Sequence, residues 1–122
     1  MLETTYTTHV TATGGRSGRV RSDDNTLDLP LALPRAVGGH GEGYNPEQLF
    51  AASFAACFMS AIRLVAGKDR DFTVSPDAAV TARVDLSISD DGGLGIQVSL
   101  AVHLPGVDAA KANDVFRRAH AI

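Results

Sequence analysis

The chain contains one cysteine, Cys57, inside the nearly uncharged run NPEQLFAASFAACFMS that extends from Asn45 to Ser60. A thiol becomes a nucleophile as its thiolate, and a neighbouring cation favours that form. Two charged residues have the right chemistry to serve it. Arg16 stands in a glycine turn, Gly14-Gly15-Arg16-Ser17-Gly18, from which a long side chain can be aimed inward. Glu47 opens the cysteine's own segment and offers a carboxylate that can hold a guanidinium by a paired contact. Taken singly, a free cysteine packs as a small hydrophobe, and each charge reads as a solvated surface group. The three together raise the alternative of an activated thiol.

The remaining candidates are weaker. His9, His40, His103 and His120 are scattered, without the spacing of a metal site. Only His120 is a candidate for an imidazole beside the sulfur, as a cysteine–histidine hydrolase would need. Gly38, Gly39, Gly41 and Gly43 form a glycine-rich loop that lacks the Lys-Ser/Thr of a phosphate cradle and the spacing of a dinucleotide site, and it could admit a substrate. Asp90-Asp91-Gly92-Gly93 lacks the last ligand of a calcium loop. Lys111, Arg117 and Arg118 read as the wet face of a helix.

These residues need elements to position them. Thr4 to Thr13 is rich in Thr, Val and Tyr and predicts a strand. Arg19 to Ser22 and Thr26 to Leu31 follow as two more, separated by turns. Pro34 to Gly43 is a loop. Asn45 then caps a helix with Pro46 at its first position and Glu47 in its first turn. From Leu49 to Ile62 that helix is apolar almost all round, which predicts burial on every side, with Gly67 as its stop. Ala78 to Ser89 and Leu94 to Leu104 alternate apolar and polar residues around a turn and predict a hairpin. A last helix starts near Asp108, and its apolar spacing is still running at Ile122, so we expect a chain cut within or just after that helix. The order βββ–α–ββ–α is α+β, antiparallel sheet against helix, in a single domain over residues 1–122.

Composition narrows the function classes. The 122 residues are 44% hydrophobic and 20% charged, with a net charge of −3. Mean hydropathy is close to zero. No basic patch speaks for nucleic acid or anionic lipid. The apolar run Leu49 to Ile62 is about 14 residues, short for a bilayer. The N-terminus lacks the pattern of a secretory signal. A lone cysteine makes no internal disulfide, so we expect a cytoplasmic setting.

Three blocks in order, TATGGRSG (Thr11 to Gly18), NPEQLFAA (Asn45 to Ala52) and AACF (Ala55 to Phe58), resemble the organic hydroperoxide resistance (Ohr) proteins of the OsmC/Ohr superfamily. The likeness runs from about Tyr6 to the end of the chain and includes Ala119-His120. It implies an OsmC-like fold with antiparallel sheets on a long buried central helix, in an intertwined homodimer. It implies a cysteine-based peroxidase for organic hydroperoxides, with no bound cofactor and no metal, recycled by an external dithiol of lipoyl type. Cys57 takes the place of the peroxide-attacking cysteine, Arg16 that of the arginine stabilising its thiolate, and Glu47 that of the arginine's partner. The family's second cysteine belongs to a block just past the last helix, where this sequence stops. Phe50, Phe54, Phe58 and Met59 flank the thiol and are candidate walls of an apolar substrate pocket. A non-enzymatic OsmC-like dimer, with an apolar ligand and an inert buried Cys57, is the alternative.

Spacing adds one constraint. Glu47 and Cys57 lie ten residues apart, roughly 15 Å along one helix at about 1.5 Å per residue. A shared site then requires either a break in the helix or two chains around a dyad.

Overall fold

The computed structural model of the chain describes residues 3–121. The chain forms two compact units, one ending at Leu49 and the other beginning at Phe50.

The first unit is a meander of three antiparallel strands, β1 (Val10–Thr13), β2 (Arg19–Ser22) and β3 (Asp28–Pro30). Val10 lies opposite Ser22, and Arg19 opposite Pro30. β1 is shorter than the strand expected from Thr4, because its partner β2 ends at Ser22, opposite Val10. The turn after β2 is built on Asp24, whose carboxylate accepts from the Ser22 hydroxyl and from the amide and hydroxyl of Thr26. The glycine-rich segment is a tightly turned loop. Gly39 and Gly41 donate to the carbonyls of Pro34 and Leu33, and Arg35 Nε donates to the His40 carbonyl at 3.1 Å.

Helix α1 (Pro46–Asp69) starts as the sequence predicts. Asn45 Oδ1 accepts from the Gln48 amide at 2.9 Å, and Gln48 Oε1 accepts from the Asn45 amide at 3.1 Å. That reciprocal pair is a capping box and satisfies two otherwise orphaned donors. The helix does not stop at Gly67 but continues to Asp69 and ends where Arg70 turns to φ +62°. The side chain of Asp69 is bonded to the last helix, which secures the final turn past the glycine.

In the second unit, β4 (Ala79–Ile88) and β5 (Leu94–His103) form the hairpin, with Ala79 opposite His103 and Ile88 opposite Leu94. Helix α2 (Ala109–His120) is capped by Asp108, which accepts from the Lys111 amide. Ile122, through which the sequence carries this helix, lies outside the described residues. The core joins Phe58, Ala61, Ile62 and Val65 of α1 to Leu104 and to Val115 and Ala119 of α2, with Val80, Leu100 and Val102 of the hairpin packed against them. The alternation of the hairpin holds at its base and lapses at its tip, where Ile88, Leu94 and Ile96 are exposed beyond the reach of the helices.

Burial of α1 on every side is not what one chain provides. Its buried residues are Phe58, Ala61, Ile62 and Val65, whereas Phe50, Phe54, Cys57 and Leu64 are exposed. The hairpin and α2 cover part of the apolar surface, and the apolar residues alongside it are left open. At 24 residues the helix is also longer than its 14-residue apolar run suggested, and it is long and apolar enough to cross a membrane. Its packing against α2 and the hairpin is that of a core helix.

Candidate active site

The turn holding Arg16 is built by its glycines. Gly14 takes φ +72° and Gly15 φ +62°. A side chain on Gly18 would sit 1.6 Å from the carbonyl oxygen of Thr13. Gly15–Ser17 therefore close into a short 3₁₀ turn that presents Arg16 from a fixed backbone. In the same unit Arg16 meets Glu47. One nitrogen, Nη1, faces both carboxylate oxygens, at 2.5 Å and 3.0 Å. This differs from the parallel fork that the pairing of types suggests, in which two nitrogens are used. Among the described residues Arg16 makes no other side-chain hydrogen bond, so its remaining N–H groups are available to a further acceptor. The Glu47 side chain is 14% exposed and that of Arg16 34%. The pair is thus held partly out of water, where a charged contact weakens less by screening.

Cys57 belongs to the second unit. It is exposed and lines a cavity of about 470 Å³ together with Ser53, Phe54, Phe58, Ala61, Ala119 and His120. The sulfur therefore does not fill a gap in the core, as a purely packing cysteine would. Ser53, Cys57 and Ala61 recur at four-residue steps along one side of α1, the spacing that stacks side chains on a common helix face. Phe58 has a double role, buried in the core at 6% exposure while one edge lines the cavity.

Of the four apolar residues expected around the thiol, Phe54 and Phe58 line this cavity; Phe50 and Met59 do not. Phe50 lies a turn nearer the helix start, with its ring 6.0 Å from that of Phe54. Met59 is two residues from Cys57 and leaves the helix roughly 200° away around its axis. Ser53, Ala61, Ala119 and His120 were not singled out from the sequence as walls. The four-residue steps from Cys57 point to the first two. The α2 pair depends on a tertiary contact with no local signature.

The helix is unbroken between Glu47 and Cys57. Glu47 belongs to the first compact unit and Cys57 to the second.

Other expectations resolve differently. Lys111 and Arg118 are not a solvated face. Arg118 grips Asp69 through two nitrogens, each at 2.6 Å, and Lys111 Nζ reaches Asp69 at 2.7 Å and Asp71 at 3.0 Å. Arg118, then Lys111, hold the Asp69 carboxyl well below the usual carboxylate range. Arg117 remains exposed beside Asp114. Asp91 serves the hairpin turn, where it accepts from the Gly93 amide and the Ser89 hydroxyl. His9 faces Asp23 at 3.4 Å at the surface, and His40 Nδ1 accepts from the Glu42 amide. No group of three or more metal-ligating side chains occurs among the described residues.

A meander, a long helix, a hairpin and a closing helix, with a lone thiol on the long helix, define an OsmC-type protein. The sequence profile of the OsmC-like protein family matches residues 39–122. An organic hydroperoxide resistance protein of Xanthomonas axonopodis pv. citri is 43% identical over 96% of this chain and 82% of its own length. The crystal structure of an organic hydroperoxide resistance protein from Legionella pneumophila superposes with a TM-score of 0.89 at 41% identity, over 98% of this chain and 85% of the other. Another of this kind, from Vibrio cholerae with captopril bound in one of its active sites, also gives 0.89, at 38% identity and 98% and 81% coverage. The chain belongs to the organic hydroperoxide resistance (Ohr) proteins of the OsmC/Ohr superfamily.

Proposed function

We propose that the chain is a thiol-dependent peroxidase that reduces organic hydroperoxides, alkyl and lipid, to alcohols in defence against oxidative stress. The observation that carries this reading is Cys57, exposed on the wall of a largely apolar cavity. The names of the relatives support the substrate class. Cys57 as thiolate attacks the distal oxygen of the peroxide, an alcohol leaves, and the sulfur becomes sulfenic acid. Arg16, held by Glu47, stabilises the thiolate and the charge developing on the departing oxygen. Lowering an ordinary thiol from a pKa of about 8.5 to about 6 increases its thiolate fraction only ten- to thirtyfold at neutral pH. Orientation of the peroxide by the guanidinium must therefore supply more of the rate than ionisation does.

Ten residues separate Glu47 from Cys57 in the sequence, too many for neighbours on one helix, and in this reading the site draws Arg16 and Glu47 from one subunit and Cys57 from its partner in a homodimer. The uncovered apolar face of α1 supports that arrangement. An external dithiol, of lipoyl type, returns the sulfenic acid to the thiol, and no bound cofactor takes part. A cytoplasmic setting suits a catalyst that must keep its one thiol reduced. No membrane or nucleic acid partner is needed.

The test is substrate consumption with a dithiol present. Cumene hydroperoxide is expected to react at least tenfold faster than hydrogen peroxide, because its aryl group leaves water for the Phe54 and Phe58 wall. Cys57→Ser is expected to abolish both activities. Equal rates for the two peroxides overturn the apolar pocket, and turnover by Cys57→Ser overturns the reaction.

A further inference from the structure

The cavity around Cys57 holds a second titratable side chain, the imidazole of His120. Its placement is built. The His120 ring lies nearly parallel to that of Phe116, at 10° between planes and 6.4 Å between centroids. Phe116 in turn packs on Phe58 at 5.1 Å. Phe58 is the neighbour of Cys57 in the chain and is anchored in the core with Val115 and Ala119. A ladder of three rings thus ties the imidazole of α2 to the turn of α1 that bears the sulfur. The last turn of α2 is held in register by the grip of Arg118 on Asp69.

The remaining wall offers no other proton donor of use. Phe54, Phe58, Ala61 and Ala119 have none, and the Ser53 hydroxyl donates to the carbonyl of Phe50 in its own helix at 2.9 Å. A guanidinium stabilises charge but keeps its proton throughout the working range. The reaction nonetheless releases an alkoxide, a strong base in a largely apolar cavity, and general-acid assistance is worth most for such a leaving group. Imidazole is the side chain whose ordinary pKa lies nearest neutrality.

We propose that His120 is the general acid of the peroxidase reaction and delivers the proton to the departing alcohol oxygen; the inference rests on the peroxidase reading above. The thiolate of Cys57 gives an electron pair to the distal peroxide oxygen, so the S–O bond forms as the O–O bond breaks. Sulfur is oxidised to sulfenic acid, which retains the hydrogen of the hydroperoxide. The proximal oxygen is reduced, leaves with the bonding pair and takes the N–H proton of the His120 imidazolium. The neutral imidazole regains a proton from water.

The leaving group provides the test. Single-turnover oxidation of Cys57 is followed with cumene hydroperoxide, which expels an alkoxide, and with peracetic acid, which expels acetate and needs no proton. His120→Gln keeps a polar side chain but gives up no proton, and His120→Phe keeps the ring stack. Both are expected to slow cumene hydroperoxide by about a hundredfold while peracetic acid stays within about twofold of wild type. Equal slowing of both oxidants makes His120 a wall residue and overturns the proposal, as does no slowing of either. If wild-type Cys57 resists both oxidants, the peroxidase reading itself fails, a result that no His120 variant can mimic.

Discussion

At the scale of single residues, the role proposed for Arg16 rests on shape as well as charge. Its Nη1 is engaged by Glu47, which leaves the other N–H groups of the planar head directed by that contact. Lysine keeps the charge but not the plane. Arg16→Lys is therefore expected to lower kcat/KM for cumene hydroperoxide by about a hundredfold, the scale of losing one oriented donor at a developing charge. A rate equal to wild type contradicts the geometric role. Much of this scale was legible in the sequence. The settings of Arg16, Glu47 and Cys57, in a glycine turn, a helix start and an apolar run, were readable from the sequence, while the roles proposed for them rest on the family resemblance. The pairing of Arg16 with Glu47 was readable from chemistry alone; its geometry, with one nitrogen facing both oxygens, was not. His120 was readable only as the best imidazole among four, because its distance from Cys57 in sequence is bridged by helix packing.

At the scale of elements, α1 bears both Glu47 and Cys57 and starts with a capping box. Asn45→Ala removes the side-chain acceptor of the Gln48 amide and is expected to cost about 1 kcal/mol, read as a lower midpoint in urea denaturation. An unchanged midpoint contradicts the capping role. The other end of α1 sets a pH dependence. Arg118, then Lys111, depress the Asp69 carboxyl in the folded state below its ordinary 3.8. A depressed carboxylate contributes stability that is fully present above the unfolded value and is lost as pH falls through the folded one. Asp69→Asn is therefore expected to lower Tm at pH 7, with the gap from wild type narrowing as pH falls below about 4. A gap that is constant with pH contradicts an ionic clamp. The start of α1 was fully legible, since Asn45, Pro46 and Gln48 act locally. Its end was not, because Gly67 signals a stop that Asp69 overrides through residues of α2 more than forty positions away. The hairpin was legible because alternation is local, whereas β1 was overestimated because a strand's length depends on its partner.

At the scale of the whole molecule, the exposed apolar face of α1 is the feature one chain leaves unexplained. Leu64 is 52% exposed and Phe50 43%. An apolar helix predicts full burial, and the sequence alone does not say that a second chain must complete it. Complementation tests the shared site. Arg16→Ala and Cys57→Ser are each inactive alone, but a mixed dimer unites the intact Arg16 of one subunit with the intact Cys57 of the other. Refolding an equal mixture is expected to restore about a quarter of wild-type activity, from one working site in the half of the dimers that are mixed. No recovery, with mixed dimers present by native mass spectrometry, contradicts a site shared between subunits.

The central claim is that Cys57 is the atom that peroxide oxidises. Intact-mass measurement after one equivalent of cumene hydroperoxide, with dimedone as the trap, reads this directly. The account predicts rapid and stoichiometric formation of a single dimedone adduct on Cys57, matched by an equal amount of cumyl alcohol. A thiol that stays unmodified while the hydroperoxide remains intact contradicts it.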